Sequence, residues 1–73
     1  MLEARDLLDQ QFLTMRALCL RLAADFDRIQ HSPGGEALLQ SDPRVALLRQ
    51  AAQIASDAQP QRAVRLEELL SDR

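Results

Sequence analysis

Lysine, asparagine, tyrosine and tryptophan are absent from this sequence of 73 residues, and cysteine and histidine each occur once. Each absence closes off a class of answers. With Cys19 alone, no disulfide can form within one chain. Cys19 and His31 are the only soft metal ligands, too few for a structural zinc site, and no metal or other cofactor is expected. Without lysine there is no Walker-type phosphate loop, so Ser32-Pro33-Gly34-Gly35 reads as a turn. No run approaches the ~18 consecutive apolar residues that cross a bilayer. The start, Met1-Leu2-Glu3-Ala4-Arg5-Asp6, is charged and has no apolar signal core. Together with a free thiol, this leads us to expect a cytoplasmic protein.

Every basic residue is arginine, and alanine, leucine and aspartate are heavily used. That bias fits codons drawn from a GC-rich genome, and a bacterial source is expected. The net charge of −2 argues against a general nucleic-acid binder, which is normally basic. Apolar residues make up 47% and charged residues 27%, a globular rather than disordered composition. The length allows a single domain, residues 1–73. A core of this size supplies only about 3–5 kcal/mol. With disulfides and metals set aside, oligomerisation is the remaining source of stability.

The few glycines and prolines cluster between periodic segments and divide the chain into helices. The first helix is expected from Leu2, or Asp9 at the latest, to Gln30. Within it Leu8, Phe12, Met15, Cys19, Leu22, Phe26 and Ile29 recur at spacings of 4-3-4-3-4-3, the seam of an a/d heptad pattern. His31 to Gly35 ends it. Ser32 before Pro33 offers a cap for a short connector helix through Gln40, which two glycines weaken. Ser41-Asp42-Pro43 is a stronger start, with Asp42 as cap and Pro43 in the first turn, where its missing donor costs nothing. The helix it opens reaches Ser56, its apolar half carrying Val45, Leu47, Leu48, Ala51, Ala52, Ile54 and Ala55. Asp57-Ala58-Gln59-Pro60 breaks it, and a last helix is expected from Pro60 to Ser71 with Ala63, Leu66, Leu69 and Leu70 on one face. The fold class is therefore all-α: a small helical bundle of three main helices, one long and N-terminal, two shorter and C-terminal.

A first helix from Leu2 to Gln30 would be roughly 43 Å long at 1.5 Å per residue. A compact globule of this chain length is only about 29 Å across. The helix also has apolar residues beyond its seam. Leu13 and Leu20, then Ala17, Ala23 and Ala24, are expected beside the seam, with Leu18 on the other flank, leaving a narrow polar strip of Thr14, Arg21, Asp25 and Arg28. Burial from two sides is implied, by the later helices on one and by a second copy on the other. Leu13, Ala17, Leu20 and Ala24 are the candidate oligomer interface, with a homodimer favoured over a different protein partner; a monomeric three-helix bundle is the alternative.

No catalytic, cofactor-binding or metal-binding residue is assigned. Cys19 lies mid-helix on the seam and is expected to be a core cysteine. His31 is expected to cap the end of the first helix. The acidic residues show neither a Glu-x-x-His pattern nor calcium-loop spacing, and are expected to be solvated, with Asp25 and Arg28 a surface pair. Three functions remain. The chain is read first as a non-enzymatic helical protein that associates with itself or another protein. The second reading is a nucleic-acid-binding regulator using Arg44, Arg49, Arg62 and Arg65, against which Glu67 and Glu68 would repel phosphate. The third is a ligand carrier or accessory subunit of an enzyme, with a pocket lined by Met15, Cys19, Phe26 and Leu47.

Overall fold

The computed structural model describes residues 2–71, which form four α-helices and no strand. In chain order these are α1 (Ala4–His31), α2 (Gly35–Ser41), α3 (Pro43–Ser56) and α4 (Arg62–Ser71). The all-α class and the long N-terminal helix follow the sequence pattern, and the connector is helical. The chain divides into two compact units, the first ending at Glu36 and the second beginning at Ala37.

In the first unit, α1 begins at Ala4 because the two residues around its cap are matched. Glu3 is the cap residue, and its amide donates to the Asp6 carboxylate at 3.2 Å, an acid placed where the helix dipole favours it. At the other end three groups take up helix carbonyls. His31 Nδ1 donates to the Asp27 carbonyl at 2.8 Å, Ser32 Oγ to the Arg28 carbonyl at 2.7 Å, and the Ser32 amide to the Ile29 carbonyl at 3.1 Å. Pro33 and Gly34 then turn the chain. Gly34 sits at φ 79°, and the Gly35 amide donates back to the Ser32 carbonyl at 2.9 Å, the pattern of a type II turn with proline second and glycine third. Gly35 is buried against the end of α1: a Cβ there would lie 1.7 Å from the Ile29 carbonyl oxygen.

In the second unit the start of α3 is as expected. Asp42 caps it, with Oδ1 accepting from the Arg44 amide at 2.8 Å, and Pro43 occupies the first turn. Helix α3 packs on α4. Val45 and Ala51 are buried, and Leu47, Ile54, Leu66 and Leu69 are half-buried. Ala63 and Leu70, expected on the covered face of the last helix, are exposed. Helix α4 begins at Arg62, two residues later than proline placement predicts. Pro60 stays outside it, and Gln61 takes the left-handed conformation at φ 59° while its carbonyl accepts the first helical bond, from the Arg65 amide at 3.0 Å.

The cause of that shift is Asp57. Its carboxylate accepts both forks of the Arg65 guanidinium, at 2.8 and 2.7 Å, and the Gln59 amide at 3.0 Å. Arg65 also donates to the Pro60 and Gln59 carbonyls, both at 3.0 Å, and Arg62 to the Asp57 carbonyl. The break between α3 and α4 is thus tied by a bidentate, charge-assisted pair rather than by proline alone.

Candidate functional site

Helix α1 runs for 28 residues, about 42 Å, and none of them is buried. Its seam, the strongest pattern in the sequence, lies open. Leu8 is 56% exposed, Phe12 55% and Met15 53%, and Cys19, Leu22 and Ile29 are exposed as well; only Phe26 is half-buried. Cys19 is therefore not the core cysteine that its neighbours imply. It stands with Leu8, Phe12, Met15, Arg16 and Leu20 along an open furrow on one helix. Seven apolar side chains at heptad spacing thus lie along one helix, six of them exposed.

Leu13, Ala17, Leu20 and Ala24 are also exposed, Leu13 at 74%. They too follow a 4-3-4 spacing, so they line up as a second stripe. On a regular helix that stripe is centred roughly 160° from the seam, nearly opposite rather than beside it. Arg5, Asp9, Arg16 and Asp27 lie in the arc between them on one side, and Thr14, Arg21 and Asp25 on the other. The broad apolar arc read from the sequence resolves into two stripes, with Leu20, at the near edge of the second, reaching the furrow of the first. Leu18, at 65% exposure, widens the seam on its flank.

Polar groups on α1 are engaged locally. Asp25 binds Arg21 at 3.1 Å and also Arg28, and these two guanidinium groups, Arg28 foremost, hold its carboxyl below the usual range. The expected Asp25–Arg28 pair is thus one half of a three-residue cluster. Both guanidinium groups are largely exposed and Asp25 is half-buried, so the cluster orders the surface more than it stabilises the fold. His31 is held by a backbone carbonyl at the end of the helix, not by an acid or a nucleophile.

Of the four arginines that raise a nucleic-acid reading, three are occupied. Arg44 returns to Asp42, Nε at 3.0 Å and a terminal nitrogen at 2.8 Å, while Arg62 and Arg65 converge on Asp57. Among the described residues Arg49 alone of the four has no carboxylate partner. Asp42 and Asp57 respond accordingly. The Arg44 side chain and amide hold Asp42 down to about 2, and Arg65 does the same to Asp57. Glu67 and Glu68 are exposed on α4, as the sequence reading required.

The residues proposed to line a pocket are found on α1 and α3. Met15 and Cys19 share the α1 furrow, Phe26 lies further along the same seam, and Leu47 is half-buried on α3. Among the described residues no three acidic, histidine or cysteine side chains gather closely enough to hold a metal ion, and no helix is long and apolar enough to cross a membrane. No protein-family model matches the chain, and neither a curated protein nor a solved structure resembles it.

Proposed function

We propose that this chain is a non-enzymatic helical interaction protein whose working surface is α1 and whose first partner is a second copy of itself. One observation carries the proposal: the seven-residue heptad seam of α1 is exposed over nearly its whole length. Fully burying a leucine, phenylalanine or methionine is worth about 1.5–3 kcal/mol, and water recovers that gain only when a second surface covers the side chain. Leu8, Phe12 and Met15 are a little over half exposed, Leu22 39% and Ile29 38%. At roughly 200 Å² for a whole side chain, the seam offers on the order of 500 Å² per copy, and flanking side chains such as Leu18 would add to it. A standard stable interface buries about 800 Å² per partner.

The stripe Leu13, Ala17, Leu20 and Ala24 is the second candidate contact of the same helix. Two pairs of substitutions, read by light scattering, test the function and apportion it. Phe12→Glu with Leu22→Glu, and Leu13→Glu with Leu20→Glu, each place two charges on one stripe of an exposed helix face, and circular dichroism checks that each pair keeps its helix content. Loss of self-association in either pair supports α1 as the working surface and shows which stripe holds the copies together. Self-association that survives in both pairs would overturn the proposal.

The nucleic-acid reading is weakened by the occupied arginines, since a guanidinium bound to its own carboxylate must break that pair before it meets phosphate. No comparable observation favours a ligand carrier.

A further inference from the structure

If the seam pairs with a second copy, the two helices must run either parallel or antiparallel, and the residues of α1 discriminate between them. We infer that the α1 seams pair antiparallel, with Leu8 of one copy against Phe26 of the other. This inference rests on the self-association proposed above.

Layer volumes carry the first part of the argument. Along the seam the a positions are Phe12, Cys19 and Phe26, and the d positions Leu8, Met15, Leu22 and Ile29. In a parallel pair each residue meets its own copy. Phenylalanine then faces phenylalanine in two layers and cysteine faces cysteine between them, so the core bulges, pinches and bulges again. Reversed, the layers become Leu8 with Phe26, Phe12 with Leu22 and Met15 with Cys19, each repeated by the two-fold axis. Every layer then sets a larger side chain against a smaller one, which is how close-packed cores keep a uniform width. Ile29 falls opposite Arg5, whose aliphatic stem can lie along it with its charge in water.

Charge carries the second part. The first turn of α1 is acidic, with Glu3 and Asp6, and the last turn is basic, with Arg28 and His31. These four residues lie on the face of α1 away from the seam and act at a distance. A parallel pair brings each helix end to the level of its own kind and sets Arg5, which continues the seam, against Arg5. The antiparallel arrangement brings the acidic end of each helix to the level of the basic end of the other and opposes the two helix dipoles. In that register Asp9 falls at the level of Asp25, and Arg16 meets its copy at the midpoint near Ala17. The two arginines are long side chains at the rim, where water screens them.

The test is a distance within the full-length protein. Gln30 is exposed and off the seam, so Gln30→Cys in a Cys19→Ala background carries a single spin label without altering a large seam residue. In the antiparallel register the two labelled positions are about 40 Å apart along the axis, while in a parallel pair they are within about 15 Å. A pulsed dipolar distance near 40 Å is expected, and one below about 30 Å overturns the inference. A second pair of variants guards against a poorly behaved label. Chains carrying Leu8→Cys, mixed with chains carrying Phe26→Cys in the same background, are expected to form mixed disulfide dimers on oxidation. Dimers of Leu8→Cys with itself would overturn the antiparallel arrangement. Light scattering on the same samples separates the two levels: a dimer with the wrong distance refutes only the orientation, whereas a monomer refutes self-association as well.

Discussion

Gly34 and Gly35 adjoin in sequence, yet they serve different physical ends. Gly34 is needed for its backbone angle: at φ 79° a side chain is strained, although the space around it is open. Gly35 is needed for its missing volume, because a Cβ would collide with the Ile29 carbonyl 1.7 Å away. Alanine at position 34 should therefore cost about 1 kcal/mol. Alanine at position 35 should cost about 2 kcal/mol or more, since only backbone movement at the end of α1 can relieve the clash. Urea denaturation of the two variants measures the difference, and equal costs would contradict this account. Gln61 shows the same left-handed angle without glycine, held by the bonds around Asp57 and Arg65. The sequence marks Pro33-Gly34 as a turn through local chemistry. It does not mark Gln61, because what holds that residue is a pair eight positions apart.

At the level of elements, local signals proved legible and distant ones did not. Asp42 and Pro43 set the start of α3 to the residue, because a cap and a first-turn proline act on their immediate neighbours. The same proline rule applied at Pro60 places α4 two residues early, because Arg65 draws the chain back toward Asp57. The heptad spacing of α1 was equally plain as a pattern. Which surface would cover it was not, since a 4-3 repeat specifies an apolar contact without saying whether the contact lies in the same chain. Leu13, Ala17, Leu20 and Ala24 were visible as apolar residues, but their angle from the seam only becomes decisive once α1 is a regular helix throughout.

The second unit gives an acid response whose direction follows from two carboxylates, Asp42 at the start of α3 and Asp57 at the break between α3 and α4. Asp42 and Asp57 sit near 3.8 when unfolded and at about 2 in the folded chain. Their contribution to stability is fully present above about pH 4 and is lost as pH falls toward 2. The thermal midpoint of helix loss, followed by circular dichroism, should fall through that window. Asp57→Asn, which keeps the Asx geometry but not the ion pair, should start lower by several degrees and fall less steeply. A midpoint that is flat from pH 4 to pH 2 would show that neither pair supports the folded unit.

The molecule as a whole has two described surfaces of opposite kind. The α3–α4 unit closes on a small core of Val45, Ala51 and half-buried leucines, and secures its turn with internal ion pairs. The first unit offers a long helix with two apolar stripes and no buried residue. Most helical stability in proteins comes from packing an amphipathic face, so covering the seam would strengthen α1 as well as join two chains. Composition already directed attention to association, by removing disulfides and metals as sources of stability. The exposed seam is what supports α1 as the proposed surface for it.

Light scattering behind size-exclusion chromatography, on the unaltered chain over a hundredfold range of concentration, tests this most directly. A mass of twice the 8.2 kDa chain, falling only at the dilute end, is the predicted result. A mass of 8.2 kDa at every concentration would contradict it.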